Sequence, residues 1–562
     1  MVEDYSLEKR DLIGFAAVVA LSAYVFLPNL GISPMQGTDE GLYAVAARNM
    51  VLHDQWLIPG HRILASPGED WSMFMKMPPL FSWLAGVSMT VFGISAWAAR
   101  LPAALAAMGT AGAIFWLARR EYDLNSAILA GAIYLTIPYV YGGSHSGRQA
   151  TVDTLFVLLG TLFVAATWYG FQQDYRRGRI LAGVLGGLLL LTKGLGAGVY
   201  AFVVLPVVLY NYNHLLDREF LLGSGIGIGA VVAWLVPLSR RLGWETVWDE
   251  IVIYQVVNRV SGNLNVYDGL LPFMKFPYLA TAPTYLGQWI FVLPAAVVVS
   301  VWYLGDSREV DWFNAFLAWW GAFVFIFFLV TGNHPHYLMP AYVPAAMILG
   351  NTLAASLRGV RAAWVAISGG LGFALLLAPR SVSPISLPAS RLWGHEPGAG
   401  LLFVAVLISV IGVIYTAQRT TFSFDQQYAT AIAMSILLVT TLAAPTLITG
   451  DPFESRQQFA NDVSEEVENG PVYVVIEDGV SQHWRFLTVE FYLDTSVVPE
   501  RVEAVNDAPP ESHVIWFGNG RPGDGSVLVN RTTGNTRMIL LEKTSFESSD
   551  TTERRERYIG SI

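Results

Sequence analysis

Thirteen hydrophobic stretches with the character of membrane-crossing helices limit what this chain can fold into. About 18 apolar residues suffice to cross the roughly 30 Å hydrocarbon core of a bilayer, and no soluble domain needs so many such stretches. Of its 562 residues, 53% are hydrophobic and only 14% are charged, and the mean hydropathy is +0.45. The sequence therefore predicts a polytopic α-helical membrane protein. The predicted spans are 12–30, 99–118, 125–142, 153–171, 180–195, 197–212, 219–238, 285–304, 313–331, 337–355, 361–378, 399–416 and 428–447.

Basic residues in the short loops predict which side of the membrane each loop faces, because cytoplasmic loops carry an excess of Lys and Arg. With Lys9 and Arg10 inside, nearly all short basic loops also fall inside, and an odd number of spans places the C-terminal residues outside. The apolar stretch 79–95 would move several of these arginines outward if it crossed the membrane. It is therefore predicted to lie at, or dip into, the outer interface. The inside loops are 119–124, 172–179, 213–218, 305–312, 356–361 and 417–427.

The hydropathy pattern predicts two domains. Residues 1–449 form a transmembrane domain with outer loops at 31–98 and 239–284, and residues 450–562 form an extracytoplasmic soluble α/β domain. In the latter, helical periodicity at 453–468 is followed by the alternation typical of strands. The strands are predicted at 472–476, 489–493 and 514–517.

Charge and cysteine content exclude several kinds of site. Residues 451–562 carry 20 acidic and 10 basic residues, which leaves 24 of each sign elsewhere and accounts for the whole net charge of −10. Because phosphate binding needs a basic face, an acidic domain argues against nucleic acid as a partner. The chain has no cysteine, so disulfides, thiolate nucleophiles and cysteine metal sites are excluded.

A carboxylate pair, Asp39-Glu40, follows the first predicted span. Charge beside a membrane is costly and usually functional, so this pair suggests a base that serves a membrane-embedded site. The alternative is that Thr38 or Asp39 caps a helix beginning near Gly41.

Cations occupy other junctions of the predicted outer face. Lys76 precedes a double proline that starts a helix, where its charge and the helix amides suit an anion, although a lysine beside lipid headgroups is an alternative. Arg259, in the second outer loop, suits a phosphate or a headgroup. Lys193 lies near the junction between two predicted spans, 180–195 and 197–212.

Two further groups lie at the outer junctions of spans. Arg148 and Asp153 stand close together in the sequence, and a structural clamp between them is the alternative to a functional role. His334 and His336 precede Tyr337 at the start of another span. Two histidines at this spacing suit a metal, but a proline separates them and no third ligand is evident, so no metal site is assigned.

At these residues the chain resembles the GT-C superfamily of polyprenyl-phosphate-sugar glycosyltransferases, in particular protein O-mannosyltransferases and bacterial lipid A aminoarabinose transferases. The runs 38–50 and 56–59 look like that branch's first-loop signature, and Lys76-Met77-Pro78-Pro79-Leu80 looks like its Lys-Pro-Pro-Leu motif. The resemblance extends in order over nearly the whole chain. Further similar strings are 99–105, 191–194, 335–340 and 490–493.

The resemblance implies roles for individual residues. Asp39 resembles the family's catalytic acidic residue, and Lys76, Arg259 and Tyr337 resemble its contacts to the lipid phosphate. The family also has thirteen spans and, in its aminoarabinose members, a soluble outer domain. Some of those members hold a metal with a glutamate before the motif lysine, where this chain has Met75. The supporting residues are Glu40, Arg148, Asp153, Lys193 and His336.

The function implied is an inverting hexosyl or pentosyl transfer at the outer face of the cell membrane. The sugar moves from a polyprenyl or dolichyl monophosphate to an acceptor hydroxyl on a protein, glycolipid or lipid-linked glycan. Asp39 takes the acceptor proton, while Lys76 and Arg259 stabilise the departing phosphate. The expected partners are donor, acceptor and membrane lipid, without nucleic acid. No cofactor is required, since Lys and Arg can neutralise one phosphate, although a divalent metal stays an alternative.

Two other classes of protein would share some of these features. A flippase or transporter of lipid-linked sugar would also need many spans and outer cations, but it would not need a base at Asp39. A structural or sensor membrane protein with a ligand-binding tail would tolerate simultaneous changes at Asp39, Lys76 and Arg259.

Overall fold

Apolar helices account for most of the chain that the structure describes. This computed structural model describes residues 8–61, 72–73, 77–249, 251, 253, 286–287, 289–302, 311–331, 334–360, 363, 366–367, 454–467, 470–477, 486–518, 526–533 and 536–543. Within these ranges, six helices are long and apolar enough to cross a membrane. The chain is therefore a multi-pass membrane protein. The six are Ala96–Glu121, Asp153–Gln172, Arg176–Tyr210, Arg218–Leu242, Trp312–Leu329 and Pro335–Leu357.

Most of the predicted spans coincide with helices. The stretch predicted to lie at the interface, 79–95, contains a helix too. The predicted spans 399–416, 428–447 and most of 361–378 lie outside the described residues. The helices are α1 (Lys9–Phe26), α2 (Gly37–His53), α3 (Leu80–Phe92), α4 (Ala96–Glu121), α5 (Leu124–Leu135), α6 (Pro138–Tyr141), α7 (Asp153–Thr167), α8 (Arg176–Lys193), α9 (Gly198–Tyr210), α10 (Arg218–Leu242), α11 (Trp244–Trp248), α12 (Trp289–Trp302), α13 (Trp312–Thr331), α14 (Met339–Leu357) and α15 (Glu454–Glu466).

Contacts between residues divide the chain into two compact units. The first contains Met1–Ile32, Trp56–Ile58 and Met75–Gly450. The second contains Ser33–Gln55, Pro59–Phe74 and Asp451–Ile562. Helix α2 therefore groups with the C-terminal residues, although it comes from the first predicted outer loop. The same holds for the short antiparallel pair β1 (Gly60–His61) and β2 (Ser72–Met73).

Ion pairs mark one end of the helices in the first unit, which we call the basic end. Arg119, near the end of α4, donates to Asp11 in the first turn of α1 at 2.8 Å. Arg179, in the first turn of α8, lies 3.2 Å from Asp217, which follows α9. Arg179 and Asp217 lie at the same end of the unit, so α8 begins at the basic end and α9 ends there. Helix α8 must therefore end at the opposite side.

Two other helices have their C-terminal ends at the basic end. The Arg179 guanidinium donates to the Gly170 carbonyl oxygen at 2.9 Å, so the helix that begins with Asp153 ends there. Arg358, which follows α14, pairs with Asp123, the N-cap of α5. The start of α7, the end of α8 and the start of α14 therefore share the opposite end of the first unit.

Helices α8 and α10 pack backbone to backbone at glycines. A Cβ at Gly187 would lie 2.3 Å from the Cα of Gly227, and a Cβ at Gly183 would lie 2.2 Å from the Ser224 nitrogen. Small residues four positions apart allow this close approach between membrane helices. Gly223, four residues before Gly227, completes the matching pair on α10.

A five-stranded mixed sheet forms the core of the C-terminal domain, by which we mean the described residues between 454 and 543. The strand order is β4-β3-β5-β7-β6. Strand β3 runs parallel to β4 and β5, while β7 runs antiparallel to β5 and β6. The strands are β3 (Gly470–Ile476), β4 (Val497–Arg501), β5 (His513–Gly518), β6 (Ser526–Thr533) and β7 (Thr536–Glu542).

Alternate residues of the strands fill the cores on the two faces of the sheet. Val472 and Val474 pack with Phe459 of α15 on one face, and Val475 packs with Trp516 on the other. The predicted helix at 453–468 and the predicted strands at 472–476 and 514–517 are confirmed.

The predicted strand at 489–493 is wrong. Residues 486–490 are helical and continue into a turn. Phe486, Val489 and Leu493 are buried and recur at the three- and four-residue spacing of a helix. The alternation within 489–493 is too short to outweigh this longer pattern, which packs the segment onto the sheet.

Candidate functional site

Three polar side chains meet at the end of the first unit opposite the basic end. The Lys193 ammonium lies 2.5 Å from Asp153 Oδ1, and His145 Nδ1 donates to Asp153 Oδ2 over 2.6 Å. Asp153 is 3% exposed. A charge buried this deeply costs free energy unless it is paired and hydrogen-bonded, and here both carboxylate oxygens have such partners.

Two aromatic rings complete the group. The His336 ring stacks on the His145 ring, with centroids 3.7 Å apart and planes 24° apart. The Tyr337 ring lies 4.5 Å from the His336 ring, and its centroid is 5.5 Å from Lys193 Nζ. We call these five residues, with Asp153 at the centre, the Asp153 cluster. It brings together four residues that the sequence placed in three separate groups.

The backbone explains why these residues lie here. Asp153 is the first residue of α7, where the helix dipole stabilises a carboxylate. Lys193 is the last residue of α8, which ends because Gly194 has φ +56°, a conformation that favours glycine. The turn Pro335–Leu338 precedes α14 and holds both aromatic residues. His145 lies in the loop between α6 and α7.

Arg148 does not pair with Asp153, so the structural clamp considered from the sequence is wrong. Its guanidinium donates to the carbonyl oxygens of Val25, Phe26 and Pro28 at 2.9, 3.3 and 2.8 Å. Carbonyls at the C-terminal end of a helix lack intrahelical partners. Arg148 therefore caps the end of α1, while a lysine and a histidine occupy both oxygens of the carboxylate.

The cluster offers a set of candidate metal ligands. Among the described residues, ligand atoms of His145, Asp153 and His336 lie within 4.8 Å of one another, and two imidazoles with a carboxylate are a usual zinc set. However, Lys193 already holds one carboxylate oxygen, and the two imidazole rings stack face to face. This arrangement suits a hydrogen-bonded network better than a cation.

Sequence reasoning missed His145. It stands in the string Ser144-His145-Ser146, at the same outer junction as Arg148, and this position was the available signal. The sequence also offered no third ligand beside His336, because His145 and Asp153 are almost 200 positions away along the chain.

Asp39 and Glu40 lie in the first turn of α2, in the second unit. The helix begins at Gly37, earlier than predicted, and has Gln36 at its N-cap. Glu40 Oε2 accepts from the Gln36 backbone N–H at 2.5 Å. Thr38 and Asp39 thus lie inside the helix, so the interpretation of either as its N-cap is wrong. Asp39 is partly exposed, and helix capping does not explain why a carboxylate stands at this position.

The remaining predicted contacts to the donor are outside the described residues. Lys76 and Met75 fall in the gap 74–76, and Arg259 falls in the gap 254–285. Their roles stay predictions.

The sequence matches those of known glycosyltransferases over much of its length. Residues 76–237 match the family described as dolichyl-phosphate-mannose-protein mannosyltransferase. The undecaprenyl phosphate-α-4-amino-4-deoxy-L-arabinose arabinosyl transferase of Edwardsiella ictaluri (strain 93-146) is 26% identical over 408 residues, which cover 69% of this chain and 69% of that protein.

Two solved structures show the same fold. ArnT from Cupriavidus metallidurans bound to undecaprenyl phosphate superposes with a TM-score of 0.62 at 18% identity, covering 93% of this chain and 97% of ArnT. The fold is that of the GT-C superfamily of polyprenyl-phosphate-sugar glycosyltransferases, and the family match and the relatives support the same assignment. The apo oligosaccharyltransferase of Archaeoglobus fulgidus gives a TM-score of 0.53 at 12% identity, covering 87% of this GT-C chain and 64% of the other. The predicted superfamily is confirmed.

Proposed function

We propose that this GT-C protein transfers a sugar from a polyprenyl or dolichyl monophosphate to an acceptor on the outer face of the membrane, with inversion of the anomeric carbon. The observation that carries the proposal is the buried Asp153 cluster at the common end of three apolar helices. Charges placed so close to membrane-spanning segments are costly and mark functional sites. The relatives are named as arabinosyl transferases, and the ArnT structure is bound to undecaprenyl phosphate, which supports a polyprenyl phosphate donor.

The roles follow the chemistry of each side chain. Asp39 accepts the proton of the attacking hydroxyl or amine as a general base. Lys76 and Arg259 neutralise the charge that grows on the leaving phosphate, and Tyr337 contacts that phosphate.

The supporting residues act in two groups. Lys193, His336 and Asp153 keep the end of the first unit charged and ordered. Arg148 fixes the end of α1, and Glu40 fixes the start of the helix that carries Asp39.

We also propose that the transfer needs no metal ion. The donor has a single phosphate, which a lysine and an arginine can neutralise. At the position where the resemblance leads one to expect a metal-binding glutamate, this chain has Met75, whose thioether is a poor ligand for hard cations.

The finer topology belongs to the same proposal. We propose thirteen spans, a transmembrane domain at 1–449 and an extracytoplasmic α/β domain at 450–562. The grouping of Arg119, Arg179 and Arg358 at one end of the first unit supports it, because basic residues collect on the cytoplasmic side. The Asp153 cluster would then face outward.

The flippase or transporter alternative receives less support. The relatives described above are named as transferases. Transporters more often place their charges near the bilayer midplane, whereas the Asp153 cluster lies at helix ends.

The purified protein can be tested with a panel of radiolabelled polyprenyl-phosphate sugars. We expect one donor to lose its sugar to an acceptor, and Asp39→Asn to slow this by roughly 10²–10⁴-fold while donor binding persists. The matched control is Asp54→Asn, an exposed acid at the other end of the same helix, which should retain turnover. Near-normal turnover by a folded Asp39→Asn protein would contradict the base assignment, and no transfer from any donor would contradict the function.

A further inference from the structure

The helix that carries Asp39 is buried along most of its length. Glu40, Arg48 and Asn49 are 1%, 4% and 1% exposed, and polar side chains this buried need partners. Helix α2 is only 17 residues long, and the side chain of its N-cap residue makes no capping hydrogen bond to the first turn. Its position must therefore come from tertiary contacts. The buried apolar residues are Leu42, Tyr43, Ala44, Val45, Ala46, Ala47 and Met50.

The C-terminal half of α2 is bound to the C-terminal domain by polar contacts. Arg48 Nη2 donates to the Leu493 carbonyl oxygen at 2.9 Å, and Asn49 Nδ2 donates to Glu490 Oε1 at 3.4 Å. Burial lowers the pKa of Arg48, while the nearby charges of Glu490 and Asp494 act to raise it. An arginine in this setting stays charged at neutral pH, so the contact with the domain is charge-assisted.

The N-terminal half of α2 touches the same segment of the domain. A Cβ at Gly41, two residues after Asp39, would lie 3.1 Å from Thr488 Cγ2 and 3.2 Å from Leu487 Cβ. Just before the helix, the Met35 backbone N–H donates to the Tyr492 hydroxyl at 2.8 Å. The segment 486–494 therefore contacts α2 at several points between Gly41 and Asn49.

This segment is in turn fixed to the core of the sheet. The Phe486 ring lies 5.6 Å from the Phe517 ring of β5. Arg456 of α15 donates to Thr488 Oγ1 at 3.1 Å, and both residues are buried. A continuous set of packed contacts thus runs from the sheet to the turn of helix that holds Asp39.

We propose that the C-terminal domain positions Asp39 for sugar transfer, with Arg48 and Glu490 as positioning residues. The inference rests on the proposed function, in which Asp39 is the base. A base must lie within hydrogen-bond reach of the proton that it removes, and a displacement of about 1 Å can cost roughly 10²-fold in rate. The C-terminal domain therefore holds in place the helix that carries the proposed base.

The test compares Arg48→Met, Arg48→Lys and Tyr492→Phe in the full-length protein. We measure kcat, donor affinity and amide hydrogen exchange across 37–53. Arg48→Met should speed exchange in α2 and lower kcat by up to about 10²-fold, with donor affinity unchanged. Arg48→Lys should recover part of kcat. Tyr492→Phe removes one hydroxyl and leaves the core filled. It should change kcat and exchange in the same direction as Arg48→Met, but by a smaller factor.

The matched control is Arg531→Met. Arg531 donates to Asp462 at 2.7 Å and to Gln458 at 3.1 Å, between β6 and α15 of the same domain. The Arg531→Met substitution should lower the stability of the domain without changing kcat or hydrogen exchange in α2.

Several outcomes would decide the proposal. Unchanged kcat in Arg48→Met and Tyr492→Phe would overturn it, as would an equal loss of kcat in Arg531→Met. Normal turnover by Asp39→Asn would instead overturn the proposed function. Slow turnover by Asp39→Asn together with normal turnover by Arg48→Met would reject the positioning role alone.

Discussion

The Lys193 ammonium and the Asp153 carboxylate lie 2.5 Å apart, with their side chains only 11% and 4% exposed. The pair joins the last residue of α8 to the first residue of α7. Removing one partner of a buried pair leaves an uncompensated charge and costs roughly 3–5 kcal/mol. A surface pair typically contributes only about 0–1 kcal/mol, so a stability measurement distinguishes the loss of a buried pair from the loss of a surface pair.

We expect Lys193→Met to lower the thermal stability of the detergent-solubilised protein and to impair transfer. Adding Asp153→Asn should restore part of the stability, because the unpaired charge is then gone. The matched control is Arg176→Met, since Arg176 is 81% exposed and lies 3.7 Å from Glu219. Equal melting temperatures for Lys193→Met and Arg176→Met would show that the buried pair is not structurally important.

The glycine contact between α8 and α10 predicts a second stability effect. Gly187→Ala should destabilise the protein by about 1–3 kcal/mol, the usual cost of overpacking, because its Cβ would meet the backbone of Gly227. The control is Gly225→Ala on α10, where a Cβ meets nothing within 4 Å. That change should be neutral or stabilising, since alanine favours helix more than glycine does. Similar melting temperatures for both variants would argue against the close packing.

Much of the fold could be predicted from local patterns, because long apolar runs and loop charges act independently of tertiary contacts. The starts of α7 and α14 and the end of α8 all lay near predicted junctions. Which cation meets Asp153 could not be predicted. Arg148 is five residues away in sequence but faces the end of α1, while Lys193 is 40 residues away and makes the contact.

The grouping of α2 with the C-terminal domain could not be predicted from the sequence either. Arg48 and Leu493 are 445 positions apart, and no local pattern links them. The short alternation at 489–493 favoured a strand, and the helical spacing became evident only when the buried neighbours of the segment were known.

Chelation tests the prediction of metal-independent transfer. We expect EDTA to leave turnover unchanged and added zinc to leave the melting temperature unchanged, because Lys193 holds a carboxylate oxygen that a metal at the Asp153 cluster would need. His336→Gln provides the comparison, since it removes one candidate ligand. Loss of turnover on chelation, restored by zinc in the parent protein but not in His336→Gln, would establish a metal site instead.

Donor-binding isotherms test the two predicted phosphate contacts. Lys76→Ala and Arg259→Ala should each weaken donor binding or turnover by orders of magnitude, because losing one partner of a buried charge pair costs roughly 3–5 kcal/mol. Arg259→Lys should recover only part, since lysine cannot make the forked contact. Arg241→Ala, an exposed arginine in the same predicted loop, is the control. Unchanged affinity in both alanine variants would favour lipid headgroups as their partners.

Cysteine labelling tests the orientation of the spans, and the chain contains no native cysteine to interfere. Ser144, Arg177 and Ser526 are exposed, whereas a Cβ at the neighbouring Gly178 would lie 2.8 Å from the Gly170 nitrogen. In intact cells, a membrane-impermeant maleimide should label Ser144→Cys and Ser526→Cys but not Arg177→Cys, because basic loops stay in the cytoplasm. Permeabilised cells should show labelling at all three sites, which confirms that each thiol is reactive. Labelling of Arg177→Cys alone in intact cells would invert the proposed topology and place the Asp153 cluster on the cytoplasmic side.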